Sequence, residues 1–478
     1  MSHPDLSTFK AGLARLPATR MLAAFAAGLR WEHLDADAVK QAERHFLDTL
    51  GAIIAGAVQP VSDIVADTLS ANSGADQAPI TVPGRGGQAL NLLAATHLAG
   101  TAAHGMEVDD GYRVGMMHPG SVVVPTALLL GSRLGASGRQ VLTAMAAGYE
   151  IACRLSAAIH PRARWRGFHP TPAVGVFASA ATAGSLLGLD ARQMEHAYGI
   201  AASSSAGLFT FMSGGDVKRL HAGLGAREGL FAALLAQRGL IGPPDAIESR
   251  NGFLYSHAGG DLPEHSYEGV DILASGGPAG EFSVTHCYTK PYACCRHIHS
   301  PIDALLDLRE RHGLTLENVD SIHVGTYAVA AAHGETGWSE MTTAQMSIPF
   351  VLATALDTGD LSLSQFERAA REDQRRTGFC PRVSTTVDAE CEARYPATRP
   401  ARLTVKLKDG RQLEAAVDDP LGSVTNRLDD TRLQAKFSAL VDPVLGERAG
   451  RALLTPLREL RQSDNVAEVL ALASVSPD

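Results

Sequence analysis

Residues 104–125, HGMEVDDGYRVGMMHPGSVVVP, join two apolar runs whose hydrophobic spacing predicts helices at Ala89–His104 and Ser121–Leu134. The loop between the helices is crowded with titratable side chains, namely Glu107, Asp109, Asp110 and His118. Helices that only need connecting use shorter and plainer loops. Because proton-transfer chemistry requires acid and imidazole groups close together, this loop predicts a functional site.

Helical spacing continues through the first half of the chain. Apolar residues recur there at helical intervals, which predict helices at Ala38–Ile54, Gly138–Ala157, Ala173–Leu187, Ala191–Ala202 and His221–Arg238. Gly188 and Gly239 stand where two of these helices should end, and Asp190 is a suitable N-cap for the helix that opens at Ala191. Many residues of the apolar stripes are Ala or Gly, which lets helix axes approach closely.

The pattern changes after about Gly276. Alternating residues predict strands at Asp320–Thr326, Arg382–Val387, Ala401–Leu407 and Gln412–Val417, and helical spacing predicts helices at Pro301–His312 and Met346–Thr358. Asp409-Gly410 is a strong hairpin signal, and helical spacing returns from about Asp429. We therefore predict a mainly α fold. A large all-helical domain is built from both chain ends, residues 1–280 and 427–478, and a smaller α+β domain, residues 281–426, is inserted between them.

The composition and charge exclude some classes of function. The 42 Lys and Arg residues against 51 Asp and Glu give a formal net charge of -9. That balance argues against a general nucleic-acid or acidic-membrane surface, but it permits a few placed cations that hold an anion. The six cysteines show no disulfide framework, the N-terminal residues lack a secretory signal, and no apolar run is long enough to span a bilayer. These features predict a cytoplasmic protein with no nucleic-acid or membrane partner.

Two further helix entries carry imidazole or cationic side chains. His169 precedes a proline, as His118 does, and it follows an arginine-rich loop. Lys218, Arg219 and His221 follow a Gly-Gly loop into a helix, where cations oppose the helix dipole. Each segment could be a solvated turn, and the acidic loop could be a helix cap. We favour anion binding, because cations kept at a helix N-terminus indicate a counter-charge there.

Residues 290–299, KPYACCRHIH, contain two Cys and two His and could suggest zinc. The spacing opposes this interpretation, because adjacent cysteines chelate poorly and CxxC is absent. We instead predict a turn that enters the helix from Pro301, with Lys290 and His299 aimed at a shared cleft.

Together these segments resemble the MmgE/PrpD family, which includes 2-methylcitrate dehydratase, cis-aconitate decarboxylase and iminodisuccinate epimerase. The matching segments are residues 104–125, GFHPTPAVG at 167–175, GGDVKRLHAGLGAREGLFAALLAQRGL at 214–240, KPYACCRHIH at 290–299 and QMSIPFVLATAL at 345–356. The resemblance implies a helical domain with an α+β lid, an active site between them, a homodimer, and neither metal nor organic cofactor.

Carried over residue by residue, the resemblance implies the roles of individual side chains. The catalytic set is Glu107, His118, His169, Lys218 and Lys290. The substrate-binding set is Asp110, Gly111, Arg219, Cys295, Arg296, His299 and Phe350. Four of these residues depart from the family's pattern, since Glu107 replaces the usual Asp, and Gly111, Cys295 and Phe350 replace the Thr, His and Tyr of the decarboxylase. Gly111 and Phe350 predict a less polar pocket, suited to fewer carboxylates or an apolar substituent.

The family's reactions share a carbanion next to a carboxylate, which requires cations for the carboxylates and a positioned acid and base. Lys218 and Lys290 are assigned to carboxylate binding, and His118 and His169 to proton transfer. Glu107 either orients a histidine or acts as the base. We predict a lyase, first a hydro-lyase, for a small di- or tricarboxylate. An epimerase or decarboxylase is the near alternative, and a non-catalytic carboxylate-binding protein is the alternative from another class.

Overall fold

A computed structural model describes residues 17–72, 74, 78–259 and 281–474. The chain divides into two compact units, Met1–Tyr288 with Leu433–Asp478, and Thr289–Arg432. Residues 1–16, for which no secretory signal is predicted, lie outside the described residues. So do the predicted change of pattern near Gly276 and the predicted domain boundary at residue 280.

The first unit is helical. Its elements before the second unit are α1 (Ala18–Gly28), α2 (Ala36–Ala57), α3 (Pro60–Asn72), β1 (Ile80–Thr81), β2 (Ala89–Leu90), α4 (Leu92–His104), β3 (Gly111–Tyr112), α5 (Gly120–Leu134), α6 (Gly138–Ile159), α7 (Arg162–Trp165), α8 (Pro170–Leu187), α9 (Ala191–Ala202), α10 (Val217–Gln237), α11 (Phe253–Ala258) and β4 (Cys287–Tyr288). Side-chain caps start several of the helices, because Asn91, Ser137 and Asp190 each accept a hydrogen bond from a backbone N–H of the first turn. Within the described residues, no single helix is long and apolar enough to cross a membrane, and α2 and α3 meet that test only as a pair bent by 80°.

The second unit packs helices on a four-stranded sheet. Its elements are α12 (His299–His312), β5 (Val319–Thr326), α13 (Ala328–Ala331), α14 (Met341–Ala344), α15 (Ile348–Thr358), α16 (Arg368–Arg371), α17 (Gln374–Phe379), β6 (Val383–Val387), α18 (Ala389–Arg394), β7 (Ala401–Leu407) and β8 (Gln412–Val417). The strand order is β6-β5-β7-β8, with β5 parallel to β6 and the other neighbours antiparallel. The hairpin from β7 to β8 turns at Gly410, whose φ of 91° is accessible to glycine without strain.

The C-terminal residues return to the first unit. They form α19 (Asp430–Leu445), α20 (Glu447–Arg458) and α21 (Ala467–Ala473). The ammonium group of Lys436 on α19 lies 2.5 Å from Oδ1 of the buried Asp48 on α2 and 2.7 Å from the carbonyl oxygen of Val108. The chain end is thereby tied to the loop that follows α4.

The predicted mainly α fold is confirmed, and so are most of its elements. The helix Ala191–Ala202 and the strands Ala401–Leu407 and Gln412–Val417 have the predicted bounds. The predicted start of a helix at Ala89 is wrong, because Ala89 and Leu90 pair with β1 and the Asn91 cap starts α4 at Leu92. The predicted start at His221 is also wrong, since α10 begins one turn earlier at Val217.

Helices α4 and α10 cross with almost no space between their backbones. An added Cβ at Gly100 would lie 2.8 Å from Cα of Gly223, and one at Gly223 would collide with the carbonyl oxygen of His97. A backbone atom cannot move aside as a flexible side chain can, so only glycine fits at this crossing.

We predict that Gly223→Ala destabilises the protein, because the new methyl group forces α10 away from α4. Overpacking of this kind costs about 1–3 kcal/mol. The free energy of unfolding from urea titration measures it. Gly28→Ala is the matched control, since no atom of the described residues lies within 4 Å of a Cβ at that helical position. Equal stability of the two variants would contradict the prediction.

Candidate active site

Four helix ends of the first unit meet at one place. The C-terminal end of α4 carries His104, and His118, His169 and Lys218 lie at or just before the N-terminal ends of α5, α8 and α10. The ring centroids are 5.0 Å apart for His104 and His118 and 5.8 Å apart for His104 and His169. The structure therefore brings together four of the five predicted catalytic residues, Glu107 included.

The tautomer of His118 follows from its hydrogen-bond partners. Its Nδ1 lies 2.6 Å from the backbone carbonyl oxygen of Asp110 and 3.3 Å from Oδ2 of Asp109. Because a carbonyl oxygen only accepts, Nδ1 carries the proton and Nε2 carries the lone pair of the neutral ring. The side chain is 15% exposed. His118 is therefore oriented as a base whose conjugate acid has a carboxylate beside it.

Asp109 is the buried carboxylate that holds two imidazoles. Its Oδ2 lies 2.7 Å from Nδ1 of His104 as well as near His118. A carboxylate in this position fixes the ring orientations and stabilises an imidazolium. Neither Asp109 nor His104 belongs to the predicted site residues, although both lie within residues 104–125, the segment that predicts a functional site.

The same three groups could also hold a metal ion. One ligand atom each from His104, Asp109 and His118 lies within 4.8 Å of the other two. Nδ1 of each ring already lies within hydrogen-bonding distance of a protein oxygen, so an ion bound through the two Nδ1 atoms would have to displace those contacts. The short distance from His118 to the Asp110 carbonyl fits an N–H donor better than a metal ligand.

Asp110 links the loop after α4 to the first residue of α5 and to Tyr149 on α6. Its Oδ1 accepts a hydrogen bond of 2.8 Å from the Gly120 N–H, and its Oδ2 accepts one of 2.6 Å from the Tyr149 hydroxyl. Complete burial outweighs these bonds and raises the pKa of this carboxyl to about 7. Gly120 is required here, since a Cβ would lie 2.8 Å from the carboxylate oxygen. The predicted contact of Asp110 with substrate stays a prediction.

Glu107 and Lys218 form a buried ion pair. Glu107 has a φ of 57°, a left-handed conformation that costs a residue other than glycine about 1–3 kcal/mol. Such strain persists where surrounding contacts enforce it, and the Lys218 ion pair is one of them. Arg219 turns to Asp216, with Nη1 2.9 Å from the carboxylate oxygen, so this arginine already has an acidic partner.

The side chain missing at Gly111 is replaced by a tyrosine ring. Gly111 pairs with Tyr288 across β3 and β4, and an added Cβ would collide with the ring and hydroxyl of Tyr288. A phenol hydroxyl therefore lies where a residue 111 side chain would begin. The predicted effect of Gly111 on the polarity of the site stays a prediction.

His221 is the proton partner of His169, a role that the sequence interpretation missed. The two Nδ1 atoms are 2.9 Å apart. Burial and neighbouring imidazoles hold the pKa of His169 well below its usual range, and burial, His104 and Lys218 lower the pKa of His221 to about 4. Both rings are therefore neutral at pH 7, and one proton is shared between the two Nδ1 atoms. The rings must then be opposite tautomers. The available signal was the spacing of three residues from Lys218 to His221, which puts both on one helix face.

The remaining predicted residues belong to the second unit. Arg296 donates to the carbonyl oxygens of Leu421 and Pro420 at 2.7 and 3.0 Å, and lies 2.8 Å from Nδ1 of His299. Lys290 is 1% exposed. Phe350 is fully buried, 6.1 Å between ring centroids from Phe366. The roles of these residues and of Cys295 in substrate binding stay predictions.

Comparison with known proteins matches both parts of the chain. The MmgE/PrpD N-terminal domain matches residues 20–266, and the MmgE/PrpD C-terminal domain matches residues 292–458. The chain belongs to the MmgE/PrpD family. Its relatives include a cis-aconitate decarboxylase of Aspergillus terreus, 28% identical over 456 residues and 91% of each chain. The mouse cis-aconitate decarboxylase is 25% identical over 95% of this chain and 93% of the relative, and the human one is 32% identical over 47% of each.

We predict that Asp110→Asn changes how stability depends on pH. The native carboxyl keeps its proton up to about pH 7, whereas in the unfolded chain it ionises near pH 4. The native state binds more protons between these values, so this group makes the free energy of unfolding fall as pH rises. Asn removes that loss. The stability of the variant relative to the parent should rise by about 1.4 kcal/mol per pH unit from pH 5, and level off above pH 7.

Urea titrations at pH 5, 6, 7 and 8 give this difference directly. The control is Asp67→Asn, which alters an exposed carboxylate of α3 and should show a flat difference. A flat difference for Asp110→Asn as well would show that this carboxyl is already ionised in the native protein.

We predict that His221→Phe changes the tautomer of His169 while the protein still folds. Loss of the Nδ1 partner frees the His169 tautomer, which nitrogen NMR of the labelled ring reports. With the substrate that the protein converts, kcat should fall about 10- to 100-fold with little change in KM. A group that positions the proton-transfer residue contributes less than that residue itself. His221→Asn should recover part of the loss, since its amide stands near the position of Nδ1.

The buried His97 on α4 supplies the matched control, as His97→Phe also removes an imidazole from the helical unit. If both phenylalanine variants lose activity equally, or if Asn rescues nothing, His221 has only a packing role.

Proposed function

We propose that this protein is a lyase for a small di- or tricarboxylate, and that it moves a proton at a carbon next to a carboxylate. The orientation of His118 is the observation that carries the proposal. Its Nδ1 is held by Asp109 and the Asp110 carbonyl, so the basic lone pair of this partly exposed ring is on Nε2. An imidazole held this way can take up a proton from a bound molecule and return it. This chemistry requires neither a metal nor an organic cofactor.

The electrostatics of the helix ends support an anionic substrate. Helices α5, α8 and α10 begin at Gly120, Pro170 and Val217, beside the imidazole cluster, which consists of His104, His118 and His169. The partial positive charge of helix N-termini favours carboxylates and developing enolate charge. Lys218 adds a full positive charge, and Glu107 neutralises it within the buried pair. A substrate carboxylate in contact with Lys218 would share that cation with Glu107.

Decarboxylation is the first candidate for the net reaction. The named relatives are cis-aconitate decarboxylases, and those of Aspergillus terreus and mouse match 91% and 95% of this chain. Loss of carbon dioxide leaves a carbanion that one acid must protonate, and the imidazolium form of His118 could supply that proton. The departures at Glu107, Cys295 and Phe350 leave open which polycarboxylate is bound.

Dehydration, predicted first from the sequence, becomes the second candidate. A hydro-lyase needs a base for the carbon-bound proton and an acid for the leaving hydroxyl group. The pairing of His169 with His221 provides a second proton-transfer group beside His118, more than decarboxylation alone requires. An epimerase would use the same two groups on opposite faces of the carbon. The homodimer, the cytoplasmic location and the absence of nucleic-acid and membrane partners stay predictions.

Proton NMR in D₂O separates these reactions in one assay. The purified full chain is incubated with citrate, 2-methylcitrate, cis-aconitate, malate and aspartate-type acids. Release of carbon dioxide with deuterium in the product indicates a decarboxylase, and interconversion of a hydroxy acid with an alkene indicates a hydro-lyase. Exchange at the α-carbon without net loss indicates an epimerase. Binding of these acids with no change in any of them would overturn the proposed lyase.

We predict that His118→Gln lowers kcat for the active acid by about 10²- to 10⁴-fold, because a positioned acid–base group contributes about that much. Gln keeps an amide near the imidazole position but cannot take up a proton. His312→Gln, an exposed change at the end of α12, should leave kcat unchanged. Full activity in a folded His118→Gln protein would refute the assigned role.

A further inference from the structure

The second unit contains a cysteine–histidine pair that the proposed proton transfers do not use. Sγ of Cys295 lies 3.8 Å from Nε2 of His333. All six cysteines fall within the described residues, and Cys295 alone among them is partly exposed. The neighbouring Cys294 is buried, and burial raises the pKa of its thiol well above the usual range.

The surroundings of Cys295 favour the charged form of its sulfur. The Cys295 N–H donates to the Gln345 carbonyl oxygen at 2.9 Å, which fixes the turn. The backbone N–H of His297 and the positive charge of Lys290 both lower the pKa of the Cys295 thiol. The His297 ring itself stays neutral, since burial and nearby cations hold its pKa well below the usual range, and its Nδ1 lies 2.7 Å from the Tyr327 hydroxyl.

Reactive cysteines occupy partly exposed, electropositive sites of this kind, whereas buried thiols are inert. Burial opposes ionisation of Cys295, but His333, the His297 N–H and Lys290 together lower its pKa to about 6. Burial also disfavours a charged His333, and the sulfur overcomes this and raises the pKa of that imidazole. The lowered pKa of Cys295 and the raised pKa of His333 both favour the same ion pair, a thiolate beside an imidazolium.

We propose that Cys295 and His333 form a thiolate–imidazolium pair that makes Cys295 a modification site for soft electrophiles and hydroperoxides. With an alkyl halide, the thiolate displaces halide and a thioether forms. With a hydroperoxide, the sulfur attacks the terminal oxygen and the O–O bond breaks. The product is a sulfenic acid, and the departing alkoxide or hydroxide takes the imidazolium proton, which leaves His333 neutral.

Alkylation of the full chain by iodoacetamide tests the pair without reference to activity. The rate is followed from pH 5 to 9 by mass spectrometry, with fragment ions that distinguish Cys295 from Cys294. The rate at Cys295 should follow a titration with a midpoint near pH 6. At pH 6.5 it should exceed that of an ordinary thiol by about fivefold to tenfold, because the gain in thiolate is partly offset by lower nucleophilicity. Cys294 should stay unlabelled.

His333→Gln should move the midpoint upward toward about 8.5, the pKa of an ordinary thiol, and His312→Gln should leave it in place. A midpoint near 8.5 in the parent protein, or an unchanged midpoint in His333→Gln, would overturn the proposal. The parent profile decides even where the variant folds poorly. Because the resemblance places Cys295 among the substrate contacts, alkylation should also abolish the proposed lyase activity. That loss rests on the proposed function, whereas the labelling does not.

Discussion

The close crossing of α4 and α10 is the constraint on which the rest of the helical unit depends. Gly100 and Gly223 bring the two backbones together. Helix α4 ends at His104, about one turn after Gly100. Helix α10 carries Lys218 and His221 in its first turns, before Gly223. A larger residue at the crossing would separate these helix ends. The small-residue stripes, unremarkable as composition, therefore determine the geometry of the imidazole cluster.

Buried charge is costly, and the helical unit manages it in three ways. Asp109 stands between two imidazoles, and Glu107 is paired with Lys218. Asp110 instead avoids charge, since burial raises its pKa and the Tyr149 hydroxyl bonds to it. Each solution lowers the cost of ionisable groups in a low-dielectric interior. His118 is the partly exposed imidazole among these groups, with 15% of its side chain accessible.

Much of this arrangement could be predicted from the sequence, and the limits have a physical cause. Periodicity and caps located α9 to the residue, because both signals lie within a few positions of each other. His169 and His221 are 52 positions apart, and their hydrogen bond exists only because α8 and α10 pack together. Local spacing carries no information on such a contact. In the same way, the titratable residues of the loop after α4 predict a functional site from the sequence alone. The contacts of Asp109 with both His104 and His118 depend on how the loop folds, so only the structure shows them.

The departures from the family's residues are best interpreted together with their neighbours. Gly111 alone suggests lost polarity, but the Tyr288 ring occupies the position and supplies a hydroxyl. Cys295, where the decarboxylase has histidine, keeps an imidazole in reach through His333, 38 positions along the chain. At position 111 a hydroxyl is still present, and beside position 295 an imidazole is still present, but in both cases a different residue supplies the group. The residue type at position 111 or 295 is therefore, on its own, a poor guide to the chemical groups that lie there.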